Sequence, residues 1–224
     1  MFKNLVRIVL PFFLGFFCVQ NIYPQKFQHS ILGGANMPLG APEKFIPGVT
    51  IKYEFELALN NYFTVGISPF FNIVNYNVTT YDKVGTIVSE EKEMVISSGI
   101  PSLTFYPKIC IPISDGLTIF ATYGLSGYTS SSRAFLTITK YQTGDVVTKS
   151  YKSNSKIILG MDASIGLQIY CTDNFDLISK LSWYSADVGH SINNLNFNSD
   201  WPGISVKSSI ISFTVGLAFP VFHK

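Results

Sequence analysis

The clearest pattern in the chain is a strict alternation of apolar with small or polar residues between positions 157 and 170. Successive side chains of a strand point to opposite faces, so a period of two predicts a strand and not a helix. The stretch exceeds the roughly 5–6 residues of a usual soluble strand and suffices for the roughly 9–11 that cross a bilayer. The predicted apolar face is Ile157, Leu159, Met161, Ala163, Ile165, Leu167 and Ile169, and the opposite face is Ile158, Gly160, Asp162, Ser164, Gly166, Gln168 and Tyr170.

Seven further stretches are extended in character, which predicts eight strands. Long polar connections follow the odd-numbered strands and short turns follow the even-numbered ones. This asymmetry is typical of outer-membrane barrels with short periplasmic turns and longer external loops, so we expect an all-β, eight-stranded antiparallel up-and-down transmembrane β-barrel. The predicted strands are 28–37, 49–57, 63–76, 95–108, 117–126, 157–170, 175–188 and 208–222.

The less apolar face decides which side of the wall meets lipid. It carries mostly Gly, Ser, Thr and Gln with isolated charges, whereas a face in bulk water usually carries many Lys and Glu residues. Small polar residues suit a narrow interior, which favours lipid outside and a polar lumen inside. A soluble lipocalin-like barrel that binds a hydrophobic ligand is the alternative, because it shows the same alternation with its apolar side inward.

Composition agrees with a membrane barrel. Charged residues make up 13% of the chain, against about 25% in a usual soluble domain, and the mean hydropathy is +0.28. Past the N-terminal segment there is no apolar run near the roughly 18 residues of a transmembrane helix. With 16 basic and 14 acidic residues the chain has no basic field, so we expect no nucleic-acid partner.

Residues 1–24 have the pattern of a secretory signal peptide. Lys3 and Arg7 precede the apolar core Ile8–Val19. We therefore expect export, an outer-membrane β-barrel domain over residues 25–224, and both termini in the periplasm because the strand count is even.

Several charged residues fall on predicted inward faces. An unpaired charge in a narrow lumen is strongly penalised, so we interpret them as a paired polar network; a gated pore or a proton path is the alternative. An eight-stranded barrel leaves room only for side chains, which argues against a wide channel. This lumen polar network consists of Lys52, Glu54, Glu56, Asp162, Asp176 and Lys180.

Candidate chemistry elsewhere is sparse. Asp187, His190 and Ser191 are the one nearby acid, base and nucleophile group, but closeness in sequence is weak evidence for a triad. We interpret them as a loop edge with a capping Ser and an exposed His. The three histidines show no ligand spacing, so we expect no metal site. We also expect no catalytic residue and no cofactor. Cys110 and Cys171 are expected to be free thiols, with a disulfide as the alternative.

Aromatic residues cluster near the predicted strand ends. Amphipathic rings at this depth are typical of interfacial girdles, and a glycan-stacking or ligand-gripping role is the alternative. The residues are Tyr53, Tyr62, Tyr76, Tyr106, Tyr123, Tyr128, Tyr170, Trp183 and Tyr184.

Two long connections contain their own turns. Residues 78–88 and 136–147 are rich in Thr, Val and Tyr around Asp82-Lys83-Val84-Gly85 and Thr143-Gly144-Asp145. We expect both to project as hairpins that offer unpaired strand edges to a partner.

The last strand carries the most specific motif. Thr214, Gly216, Phe219 and Val221 match a C-terminal assembly signal, and the chain resembles the small eight-stranded outer-membrane barrel family, the OmpA-barrel and OmpX-like group. Many members end on the aromatic residue, whereas here His223-Lys224 follow Phe222. The resemblance implies contact with outer-membrane lipid, recognition by the barrel-insertion machinery and a monomer. It brings no catalytic residues.

The sequence thus favours a non-enzymatic barrel with a structural, adhesive or surface-interaction role through its external hairpins, and with a surface protein or glycan as partner. Narrow porin-like transport of small or hydrophobic solutes is the main alternative. A lipid-modifying enzyme of the outer membrane and a lipocalin-like binder are the others.

Overall fold

The structure is a computed structural model that describes residues 26–40, 45–84, 86–155, 157–187, 189–197, 200–201 and 209–221. The predicted signal peptide lies outside the described residues. The strands are β1 Lys26–Pro38, β2 Phe45–Ala58, β3 Phe63–Val84, β4 Ile87–Ser114, β5 Leu117–Tyr128, β6 Ser131–Lys140, β7 Asp145–Asn154, β8 Ile158–Thr172, β9 Phe175–Tyr184 and β10 Ile210–Val221, and one short helix, α1, spans Gly189–Asn193.

Eight of these strands form a closed ring, which confirms the predicted barrel. The sheet runs β3-β2-β1-β10-β9-β8-β5-β4, and the pairing of β3 with β4 closes it. All pairs around the ring are antiparallel. Because every barrel strand has two neighbours, the barrel has no open edge of the kind that aggregates.

The two ends of the barrel differ. Short turns at Asn60-Asn61, Asp115-Gly116 and Asp173-Asn174 connect strands at one end. The described chain also begins and ends there, since Phe27 pairs with Val221. We call this the short-turn end and the opposite one the long-loop end.

At the long-loop end the wall of the barrel continues outward as a further part of the same sheet. Between Ser102 and the short-turn end, β4 pairs with β5. Between Gly99 and the long-loop end, β4 pairs with β6, so β6 replaces β5 as its neighbour. The partner of β6 on its other side is β7. We call β6, β7, the part of β3 beyond Ile73 and the part of β4 between Ile87 and Gly99 the extension sheet. Both predicted hairpins project, but they pair with each other through β4 and β6, so the prediction of unpaired edges is wrong for these two strands.

Glycine closes the seam between β1 and β10. A methyl group on Gly216 would lie 1.9 Å from the Ile31 carbonyl oxygen, and one on Gly34 would lie 1.9 Å from the Phe213 carbonyl oxygen. No larger residue fits either position without moving the neighbouring backbone. The first and last strands can therefore approach closely enough to complete the ring.

The apolar side chains of β8 point outward, as predicted. Leu159 is 85% exposed and Ile165 is 61% exposed, whereas Asp162 and Ser164 are buried at 4% and 5%. The same outward apolar face continues around the ring, for example at Phe105, and this is the surface that a barrel presents to lipid. Among the described residues, no helix has the length and hydrophobicity needed to span a bilayer.

β4 extends well beyond its predicted bounds of 95–108 and covers 28 residues. Its burial alternates regularly from Met94 to Lys108. The sequence pattern is irregular there because Met94, Ile96 and Ile100 point inward while the outward positions hold Ser97 and Gly99. The strand is regular, but the content of its two faces changes along its length.

Candidate functional site

Three buried ion pairs inside the lumen join strands that are not neighbours in the ring, namely β2 with β8, β2 with β9, and β2 with β4 across β3. The Lys52 Nζ atom lies 3.3 Å from Asp162 Oδ2, the Lys180 Nζ atom lies 2.6 Å from Glu54 Oε1, and the Lys108 Nζ atom lies 2.7 Å from Glu56 Oε2. All six side chains are at most 6% exposed. We call them the charged layer.

Aromatic rings contact the ammonium groups of these buried lysines. Lys108 Nζ lies 4.3 Å from the centre of the Phe120 ring, and Lys180 Nζ lies 5.0 Å from that of Tyr106. The Tyr106 hydroxyl donates to Glu56 over 2.9 Å. A ring face attracts a cation, and the attraction is stronger where water is excluded.

Glycines on neighbouring strands make room for the two rings. A methyl group on Gly66 would lie 2.6 Å from the Tyr106 ring, and one on Gly166 would lie 2.4 Å from the Phe120 ring. Small residues on the inner wall therefore let large rings lie across the lumen. The charged layer fills this cross-section with side chains.

Five of the six predicted lumen residues lie in the charged layer. The sixth, Asp176, lies nearer the short-turn end, where it accepts a hydrogen bond of 2.7 Å from Gln168. Sequence reasoning missed Lys108 and Tyr106, because strand 95–108 showed no clear phase. The signal was their spacing: Thr104, Tyr106 and Lys108 are two residues apart, so they lie on one face of the strand, and that face points inward.

A cavity of about 360 Å³ opens at the short-turn end. Its inner wall includes Glu56 and Lys108, so the charged layer forms its floor. The remaining polar lining includes Gln28, Thr118, Gln168, Asp173 and Asp176.

The long-loop end is closed by an apolar core inside the extension sheet. Met94, Ile96 and Leu136 are fully buried there against Ile192 of α1. The sequence pattern predicts a polar interior along the whole barrel, and this prediction is wrong for the long-loop end. We call this core the apolar plug, and it consists of Phe70, Val74, Tyr76, Met94, Ile96, Ile100, Tyr128, Ala134, Leu136, Ile138, Tyr184, Ala186, Ile192, Leu195, Phe197, Trp201 and Ile210.

Side chains of β7 fasten the segment after α1 onto the plug. Lys149 Nζ lies 2.7 Å from Asp200 Oδ1, and the Tyr151 hydroxyl donates to the same carboxylate. Tyr151 also packs edge-on against Phe197, with ring centres 5.0 Å apart. These two hydrogen bonds hold the pKa of Asp200 below its ordinary value, while burial and the carboxylate raise the pKa of Tyr151 to about 12. We call this group the Asp200 latch.

The predicted acid, base and nucleophile group does not form a triad. The Asp187 carboxylate accepts from the Gly189 backbone N–H at 3.0 Å, so Asp187 caps α1 in place of the predicted Ser. Ser191 is fully buried, and its hydroxyl lies 2.6 Å from that of Ser132. His190 is exposed. In the described part of the chain no group of His, Cys, Asp or Glu side chains could hold a metal ion.

The girdle interpretation is wrong for four of the nine aromatic residues. Tyr76, Tyr106, Tyr128 and Tyr184 are at most 5% exposed and point inward, because the plug and the charged layer need large rings. The exposed rings are Tyr53, Tyr62, Tyr123, Tyr170 and Trp183, of which Tyr170 lines the cavity at the short-turn end.

The remaining residues singled out in the sequence are the two cysteines and the motif of the last strand. Cys110 and Cys171 are free thiols. In the motif of the last strand, Thr214 is fully buried, Gly216 belongs to the seam, and Phe219 packs against His29 with ring centres 5.3 Å apart. Val221 is the partner of Phe27 at the end of β10.

Taken together, the outward apolar face, the charged layer and the plug define a small membrane-spanning β-barrel whose interior is closed at two levels. No protein-family model matches the chain, and no curated protein sequence is significantly similar to it.

Several solved structures of outer-membrane proteins are similar to this chain. The OprG protein of Pseudomonas aeruginosa is 10% identical, with 89% of this chain and 96% of that one covered at a TM-score of 0.44. A major outer membrane protein from Thermus thermophilus is 14% identical, with 87% and 99% covered and a TM-score of 0.45. The attachment invasion locus protein Ail of Yersinia pestis, in complex with the heparin analogue sucrose octasulfate, is 10% identical, with 88% and 97% covered and a TM-score of 0.37.

Proposed function

We propose that this chain is a non-enzymatic outer-membrane barrel that acts at the cell surface through its extension sheet, after residues 1–24 are removed as a signal peptide. Both termini then lie in the periplasm, and the last-strand motif Thr214, Gly216, Phe219 and Val221 serves the barrel-insertion machinery. One observation carries the proposal: the bore is closed at two levels, while the sheet beyond it ends in an open strand.

The closed bore argues against a transport role. Paired charges and rings fill the middle of the lumen, and the apolar plug fills the long-loop end. A solute would have to separate buried ion pairs, and breaking one such pair costs about 3–5 kcal/mol. The barrel is thus built to hold the extension sheet in place.

Among the described residues the extension sheet has an open edge on each side, along β3 beyond Tyr76 and along β7, and we propose that β7 is the edge that binds. Within the described part of the chain β7 pairs with β6 alone, so its other edge presents backbone N–H and C=O groups. Val146 and Val147 near its start are 62% and 43% exposed. An edge of this kind accepts an additional strand from a partner protein, with side-chain pockets giving specificity. The partner is therefore an extended segment of a surface protein, and a glycan is the other class to test.

A shortened hairpin tests the proposal. Leu136 and Lys149 are directly paired, so Asn-Gly can replace Thr137–Thr148 and join them by a two-residue turn, which removes Val146 and Val147 from the β7 edge. Cells that display the wild-type chain should attach to surfaces coated with matrix protein, and the shortened form should lose most of this attachment. The control is Gln142→Ala with Thr143→Ala, which changes the turn and leaves the β7 edge intact. Attachment that survives the shortening would contradict the proposal, and attachment only to heparin-coated surfaces would favour the glycan.

Transport is the second candidate because of the polar cavity at the short-turn end. Planar-bilayer recordings separate the two functions. A filled bore predicts no stepwise conductance from the wild-type protein, and steady single-channel steps would favour transport.

The location and the enzymatic alternative have separate tests. Fractionation of the envelope with heat-modifiable gel mobility should place a folded barrel in the outer membrane. A Ser191→Ala variant should leave lipid A mass spectra unchanged, whereas a change would support the lipid-modifying enzyme.

A further inference from the structure

A polar groove lies on the outer surface of the extension sheet, just beyond the outward apolar face of the barrel. Its volume is about 520 Å³, and it crosses β4, β6 and β7. The outward residues form two layers in register. Gly99, Ser131 and Asn154 make the inner layer, and Ser97, Arg133 and Lys152 make the outer one.

Two cations lie side by side in this groove. Arg133 and Lys152 are direct cross-strand partners, and both are exposed on the outward face. Like charges that face each other across a strand pair repel and destabilise the sheet. Among the described residues no ion pair involves either side chain. The outward carboxylates of β4, Glu93 and Glu91, lie two and three layers further toward the tip.

The groove also borders the hydrocarbon-facing surface. Phe71, 39% exposed, covers Gly99, with its ring 3.0 Å from where a Cβ of that glycine would lie. Below the groove, Leu125 and Leu159 are 66% and 85% exposed on the outward face of the barrel. A molecule in the groove would therefore have cations at one end and apolar wall at the other.

We propose that Arg133 and Lys152 bind the phosphate of a lipid headgroup in the membrane leaflet next to the extension sheet. A phosphate between the two cations removes their mutual repulsion, and Arg suits it because the guanidinium offers two parallel N–H donors. Ser97, Ser131 and Asn154 supply further polar groups around the anion. The acyl chains then lie along the wall formed by Phe71, Leu125 and Leu159. This arrangement fixes the depth at which the extension sheet leaves the membrane.

Native mass spectrometry of the detergent-purified barrel tests this proposal with phosphatidic acid as probe and phosphatidylcholine of the same acyl chains as reference. The wild-type protein should retain phosphatidic acid preferentially. The double variant Arg133→Gln with Lys152→Gln should bind it roughly tenfold more weakly, since two charge-assisted hydrogen bonds are lost. Unchanged gel mobility verifies that the variant folds.

The matched control removes the same charge elsewhere. Lys83→Gln with Lys140→Gln changes two exposed lysines near the hairpin tips and should keep the preference for phosphatidic acid. Equal weakening in both double variants would mean a general charge effect and would overturn the site. Glycerol 3-phosphate is the soluble arm: binding as tight as that of the lipid would overturn the assignment to a membrane lipid, and much weaker binding supports it.

Discussion

The barrel and the extension sheet are built from the same alternation with opposite content. In the barrel, inward positions hold the charged layer and hydroxyls, and outward positions such as Leu159 and Ile165 are apolar. In the extension sheet, inward positions such as Met94 and Leu136 are apolar and fully buried, while outward positions hold Ser97 and Arg133. The exchange occurs within the continuous strand β4, near Gly99.

This difference shows that periodicity and content carry separate information. A period of two fixes the strand and its two faces, but each face takes the residues that suit its surroundings. Hydrocarbon around the barrel takes the apolar side chains, so polar ones are left for the bore. Where water surrounds the sheet, the apolar side chains turn inward to form a usual soluble core. The point of exchange therefore marks where the wall leaves the membrane.

The strongest test of the comparison is to break an ion pair of the charged layer. Lys180→Met leaves Glu54 buried without its direct partner, and we expect a loss of about 3–5 kcal/mol of unfolding free energy. Urea unfolding of the refolded barrel in lipid vesicles, followed by gel mobility, measures this. Adding Glu54→Gln should recover part of the loss. Wild-type stability for Lys180→Met would mean that the pair does not hold the barrel together.

A cavity in the plug should cost almost as much. Leu136→Ala removes a fully buried side chain, and large-to-small core changes of this type cost about 2–5 kcal/mol. Its neighbour Phe135 points outward and is 45% exposed, so Phe135→Ala should cost about 1 kcal/mol or less. Chemical denaturation followed by proteolysis of the hairpin compares the two. If the two variants lost the same unfolding free energy, the extension sheet would not have one buried face and one exposed face.

A charge on the outer surface should separate the two regions. Leu181→Lys places a cation on the lipid-facing side of β9, where such a change costs about 2–4 kcal/mol near the bilayer midplane. Thr148→Lys places it on exposed β7 and should change stability by about 0.5 kcal/mol or less. Folding yield and urea unfolding in vesicles measure both. If the two variants lose similar stability, the outward face of the barrel is not in hydrocarbon.

The smallest expected effect is a loosening of the Asp200 latch in acid. The pKa of Asp200 is lowered by Lys149 and Tyr151, so its stabilisation is present above its ordinary pKa of 3.8 and is lost only as the pH falls through the lowered value. The fluorescence of Trp201, in a Trp183→Phe background, should therefore stay constant from neutral pH down to about pH 4 and change below it. Asp200→Asn should remove this acid transition. A transition near pH 6 would point to a different group.

The sequence was sufficient for the barrel and insufficient for the plug. Strand 157–170 and the turns at Asn60-Asn61 and Asp173-Asn174 could be predicted, because alternation and turn residues act locally. The inward position of Lys52 and Glu54 followed from the same phase. The plug could not be predicted, since it needs α1 and residues after it to fold back onto β6, a contact between positions far apart in the chain.

The aromatic residues show the same limit. Tyr128 and Tyr184 lie near strand ends, where an interfacial ring and a ring buried under a plug have the same sequence signature. The inward position of Lys108 could not be predicted because the inward face of β4 is apolar on one side of Gly99 and polar on the other. A count of apolar residues over the whole strand therefore does not show which face points inward. Dividing β4 at Gly99 before assigning faces recovers both halves.

The length of β4 has a mechanical consequence. Its 28 residues run without a break from the short-turn end to the tip, and β3 pairs with it from Ile109 to Ile87. A pull applied at the tip acts along the strands, at right angles to the hydrogen bonds that join them. Many hydrogen bonds are then loaded at the same time, in shear. The strands are therefore harder to separate than they would be if the hydrogen bonds broke one after another.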